Sequence, residues 1–203
     1  MANVDKPFGL RPLGNLSATG SQKQYGYEIA DNQSGAIYQG DLVTVYDGYL
    51  VKFAPATHTA AVGVFNGCNY IDPSSGKPTW KNYYPGSVNI TAGKIMADVI
   101  DDPSQLFIIQ VDESVAQTQV GMNADVVGTG GSTTTGVSSM ELDSSTIAKT
   151  AALNLKIVGL WDVPGNEFGT NAVVVVKINE HLYGSAGVAG QGAKSWQFPA
   201  HNW

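Results

Sequence analysis

DLVTVYDGYLVKF, residues 41–53, is the stretch on which the fold turns. Asp47-Gly48 is a two-residue turn of the kind that needs positive φ at both central positions, which Asp tolerates and Gly adopts freely. With that turn in place a hairpin register follows: Tyr46 faces Tyr49, Thr44 faces Val51, and Leu42 faces Phe53. These six alternate positions share one mostly apolar face, which is expected to be buried. The opposite face carries Val43, Val45, Leu50 and Lys52 and is only half polar, so a sheet covered on both sides is expected.

Outward from the hairpin the β signal continues. AAVGVFNG (60–67), SVNITAG (87–93), KIMADVI (94–100) and QLFIIQVD (105–112) are short runs punctuated by Gly, Pro, Asn or Asp. Their spacing predicts an all-β protein with a single β-sandwich (jelly-roll-like) or a barrel as its core. LNLKIVGLWDV (153–163) and NAVVVVKINEHLY (171–183) add two strands around the turn PGNEFG, and the Val173 to Val176 run reads as buried on both faces. Residues 112–123 are expected to form one or two helical turns, and GTGGSTTTGVSS (128–139) a mobile loop or hairpin tip. No sustained 3.6-residue periodicity and no internal repeat is present. The β-rich core spans 21–183, between an extended N-terminal arm (1–20) and a Gly/Ala-rich C-terminal arm (184–203).

Composition bounds the function. Charged residues make up 14% of the chain, against roughly 25% in ordinary soluble domains. Such a surface either meets partners or is coated with Ser, Thr, Asn and Gly. The net charge of −6 and 11 scattered basic residues argue against nucleic acid and against polybasic membrane attachment. The longest apolar run, AVVVV at 172–176, is far too short to span a bilayer. Cys68 is the only cysteine, which removes internal disulfides and Cys-based zinc sites and leaves a small buried apolar group as its expected role. The start MANVDKPFGLRPLG lacks the basic and apolar blocks of a secretion signal, so synthesis in a cytoplasm is expected.

No nucleophile–base constellation can be assembled, and no enzyme, metal or cofactor is expected. His58, His181 and His201 stand alone in sequence. Asp101-Asp102 and Asp112-Glu113 flank the strand QLFIIQ, and opposite ends of such a strand lie roughly 17–20 Å apart, too far for a glycosidic acid–base pair. Cation binding by Asp98, Asp101 and Asp102 is the remaining use for those acids. Trp80, Tyr83 and Tyr84 fall on the loop IDPSSGKPTWKNYYPG (71–86), where exposed rings mark an interaction site for a sugar or a protein, or pack on one another.

The two ends of the chain carry rings on segments that cannot build a core. Phe8 and Leu10 sit among Lys-Pro and Arg-Pro breaks, which favour extended backbone. Trp196, Phe198 and Trp203 follow the slack YGSAGVAGQGA. Burying such a ring is worth roughly 4–6 kcal/mol at most, and about 20 extended residues reach up to roughly 65 Å. Docking of both arms on neighbouring proteins is therefore expected.

NVDKPFGLRP near the start and LKIVGLWDVPGNEFGTNAVVVVKINEHLY near the end, with IYQGDLVTV between them, resemble head structural proteins encoded beside the major capsid gene in tailed bacteriophages. The resemblance implies a virion cement or decoration protein on the capsid exterior, partnered by the major capsid protein and by itself. A homotrimer suits three-fold positions of an icosahedral shell, and a dimer is the alternative. It supplies no catalytic residue. The competing reading is a carbohydrate- or host-surface-binding β module that uses Trp80, Tyr83 and Tyr84.

Overall fold

The computed structural model describes residues 3–16, 24–128 and 130–184. In chain order the strands of the first half are β1 (Arg11–Asn15), β2 (Gln24–Ile29), β3 (Ile37–Tyr38), β4 (Leu42–Tyr46), β5 (Tyr49–Lys52), β6 (Gly63–Ile71), β7 (Pro78–Lys81), β8 (Tyr83–Tyr84) and β9 (Ile95–Ile100). The second half adds β10 (Gln105–Gln110), β11 (Ser114–Val115), β12 (Asn123–Ala124), β13 (Val126–Val127), β14 (Glu141–Leu142), β15 (Leu155–Leu160), β16 (Gly169–Thr170) and β17 (Val173–Ile178). Two single 3₁₀ turns, Gln117–Gln119 and Ser144–Thr146, are the helical elements among the described residues. The all-β expectation holds.

Two antiparallel sheets carry the architecture. One has the order β1-β10-β17-β15-β12; the other runs β2-β9-β6-β4-β5, with β7 also paired to β6. Three two-stranded ribbons, β3-β8, β11-β16 and β13-β14, close the ends. The second sheet curls until its edge strands β2 and β5 lie side by side, with no ladder between them among the described residues. The result is sandwich-like, with no closed barrel.

The hairpin of residues 41–53 forms in the expected register, Tyr46 opposite Tyr49 and Thr44 opposite Val51, with Asp47 and Gly48 at φ 49° and 85°. Away from the turn its two faces enter two different cores, whereas Tyr46 and Tyr49, expected to be buried with the first face, are 43% and 41% exposed. Leu42 and Phe53 join Val64 and Ile100 against Phe107, Ile109, Val174 and Val176 of the five-stranded sheet. Val43 and Leu50 join Phe65, Cys68, Ala97 and Val99 inside the curl of the second sheet, capped by Ile37 and Tyr84. The half-apolar outer face inferred from sequence is the wall of a second core. At its base lies a charge: Asp41, fully buried, holds Lys52 Nζ at 2.7 Å and accepts from Tyr38 N and Ser138 Oγ.

Packing revises two expectations and decides a third. The Val173 to Val176 run is not buried on both faces: Val174 and Val176 point into the core, while Val173 and Val175 are half-buried. The reason is position, because β17 lies central in a sheet covered on one side only. Of the two forms expected for residues 128–139, the hairpin tip is the one found over 130–139, closed by the bridge Gly131 to Ser138, and Asn82 Nδ2 donates to Thr135 O across 2.8 Å. Leu10, read as a residue that grips a partner, is 1% exposed in the inter-sheet core. The chain gets there because Arg11–Asn15 adds to β10 as an edge strand, so the N-terminal segment is extended but fastened to its own sheet.

Candidate functional site

The fastening of the N-terminus is built from two glycines. Gly9 and Gly40 both have positive φ, and their backbones approach so closely that a Cβ on Gly9 would stand 2.6 Å from Gly40 O. Across this crossing Leu10 N donates to Gly40 O at 2.8 Å. Phe8, half-buried, is covered by the Arg11 guanidinium 4.4 Å above its ring. Further back, Asn3 Nδ2 donates to Glu167 O and Thr170 O, each at 2.9 Å. Gln110 Nε2 donates to Val4 O and Asn171 O, while its Oε1 accepts from Lys6 N. Residues 3–10 thus lie along the turn that joins β15 to β17.

The aromatic loop separates into three environments. Tyr84 is 0% exposed, a correction to its reading as a surface ring. Its ring caps the curled-sheet core, and its hydroxyl donates to Gln33 O at 2.9 Å. Tyr83 stacks on Tyr38, with ring centroids 5.8 Å apart and planes 13° from parallel. That leaves Trp80, 54% exposed on β7. It lies over Gly67 of β6, where a Cβ would meet the indole at 2.7 Å. Its Nε1 donates to Asp98 Oδ2 at 3.4 Å, and Asn69 Nδ2 donates to the same oxygen at the same distance.

The titratable candidates scatter. Asp101 accepts from the Tyr27 hydroxyl at 2.6 Å, and Asp102 accepts from Asn15 Nδ2 and Ser104 N. Neither shares a partner with Asp98, and no cluster of His, Cys, Asp and Glu able to hold a metal occurs among the described residues. Cys68 is buried, with its thiol pushed up to about 12 by burial, so it stays a thiol at neutral pH. His181 is 2% exposed. Its Nδ1 accepts from Tyr183 N at 3.1 Å, Nε2 has no hydrogen-bond partner, and burial lowers its pKa to about 4. It is a structural imidazole held neutral.

Of the eight residues singled out from sequence, Leu10 and Tyr84 belong to the core, Phe8 and Tyr83 to intramolecular stacks, and Trp80 to the surface. Trp196, Phe198 and Trp203 lie outside the described residues. Sequence reasoning missed Asp98 and Asn69 as neighbours of Trp80, because three strands bring them together. Weak signals were present: Gly67 within the β6 run and an aspartate inside the apolar KIMADVI. Compared with family models, curated proteins and solved structures, the chain matches none of them.

Proposed function

We propose that this chain is a virion structural protein of the cement or decoration class, which binds the outer surface of a tailed-phage capsid and stabilises the shell through its C-terminal segment. One observation carries the reading. Two of the three stretches that resemble phage head proteins, residues 3–12 and 155–183, meet in the fold: Asn3 bonds the backbone at Glu167 and Thr170, and Leu10 shares a core with Val174 and Val176. The N-terminal end of the segment is thereby anchored at home. The shell-gripping role falls to the segment after Gly184, with Trp196, Phe198 and Trp203 as anchors. Weak individual anchors are multiplied when several copies of the protein sit on one symmetric lattice.

The test is co-sedimentation with empty shells assembled from the major capsid protein. Full-length protein is expected to pellet with shells, and a chain lacking residues 185–203 to lose about tenfold or more in affinity. Full-length protein that stays in the supernatant at saturating shell concentration overturns the proposal. Equal binding by the truncated chain removes the C-terminal segment from the mechanism.

A further inference from the structure

The geometry points to a second site: a neutral-saccharide platform on the open end of the six-stranded sheet, formed by Trp80 with Asp98, Asn69, Asn66 and Gln24. It is independent of the shell-binding reading. The face concerned is the one that carries Val64 of β6 and Ile100 of β9 into the inter-sheet core. Continuing along the same two strands, that face changes character to Asn66, Gly67 and Asn69 on β6 and Asp98 on β9. A register shift between Phe65 and Gly67 keeps both Asn66 and Gly67 on it. The five-stranded sheet's apolar residues meet only the Val64 and Ile100 end, so the face is apolar where it is covered and polar where it is open.

The floor of the open part is glycine. Asp98 pairs with Gly26 on one side and Gly67 on the other, and the missing side chains make room for Met96 over Gly26 and Trp80 over Gly67, one on each side of the carboxylate. Trp80 lies over the Gly67 side, where nothing larger than hydrogen fits under the indole. Trp80 itself stays 54% exposed. A separate amide row lies further along the same strands: Gln39 Nε2 donates to Asn66 Oδ1 at 2.9 Å, and Asn66 Nδ2 to Gln24 Oε1 at 3.4 Å.

This is the chemistry a pyranose asks for. Its C–H face stacks on an oriented aromatic ring, while its rim of hydroxyls needs planar donors and acceptors close by. The two 3.4 Å bonds to Asp98 are long enough to be weak, so a sugar hydroxyl can replace them at little cost. A protein partner would call for several apolar anchors together. Here one exposed indole stands among amides and a carboxylate, with the half-buried Met96 as its apolar neighbour on β9. An anionic ligand is disfavoured by Asp98 and by the net charge of −6.

The probe is a panel of soluble neutral hexasaccharides, chito-, cello-, manno- and malto-, titrated into the full chain by calorimetry and by tryptophan fluorescence. At least one is expected to bind with a Kd of about 1 mM or tighter. Trp80→Ala is expected to weaken it about tenfold or more, Asp98→Asn about threefold, and Trp80→Phe by less than the alanine. Circular dichroism of each variant verifies folding, and Asp98→Asn with Trp80→Phe carry the test if Trp80→Ala does not fold. Three results overturn the proposal: no binding across the panel, wild-type affinity in the folded Trp80 and Asp98 variants, or a Trp80 substitution that dissociates an oligomer of this chain while leaving sugar binding intact.

Discussion

At the residue scale the most informative side chain is His181, buried with one ring nitrogen unsatisfied. Burial penalises the imidazolium and takes the pKa from 6.5 down to about 4. The unfolded chain therefore binds a proton that the folded chain refuses. Its contribution is fully present above the unfolded pKa and is lost as pH falls through the folded one. The limiting loss is about 3 kcal/mol. Asp41, Asp125 and Glu141 act with opposite sign, because burial raises their pKa and so favours the folded state when they are protonated. Comparing wild type with His181→Gln separates the two effects. Between about pH 7 and pH 4 in urea melts, wild type should lose more stability than the variant. Parallel pH profiles would show that His181 has the same pKa in the folded and unfolded chain.

At the element scale the Gly9–Gly40 crossing decides whether the N-terminal segment is an arm or a strand. Gly9 needs φ near +70° and has no room for a methyl group beside Gly40 O and Ser138 Cβ. Gly9→Ala should cost about 1–3 kcal/mol from backbone conformation and collision together, seen as a lower melting temperature. It should also speed amide exchange at Leu10, whose N–H bonds Gly40 O. A variant as stable as wild type would mean that the crossing is looser than its geometry indicates. Aspartate serves the hairpin turn at Asp47 in a similar way, with a φ of 49° that its short polar side chain tolerates, next to Gly48, where a Cβ would meet nothing within 4 Å.

At the scale of the whole molecule, one curled sheet lies between two cores, and the N-terminal strand completes the larger of them. Removing residues 1–16 takes away an edge strand, the Asn3 clip and the Leu10 side chain. Loss of a buried leucine alone costs about 2–5 kcal/mol, a large share of the roughly 5–15 kcal/mol by which a domain is stable. The truncated chain should lose its cooperative unfolding transition or melt far below wild type, as followed by circular dichroism. Retention of a wild-type melt would return this segment to the status of a free arm.

Local chemistry made part of this legible in advance. Asp47-Gly48 with alternating residues on either side dictates its hairpin and register through turn sterics and the two-residue period, and the short Gly-bounded runs dictate an all-β chain. The burial of Cys68 and the scatter of His58 and His181 were also readable, since both follow from residue type and isolation. Tertiary structure alone decided which half-apolar face meets which core, why Leu10 and Tyr84 lie inside, and why Val173 and Val175 do not. It alone brought Trp80, Asn69 and Asp98 together from β7, β6 and β9. A sequence encodes periodicity along one strand. Which strands become neighbours is settled by long-range packing, and that leaves no mark at the spacing of adjacent residues.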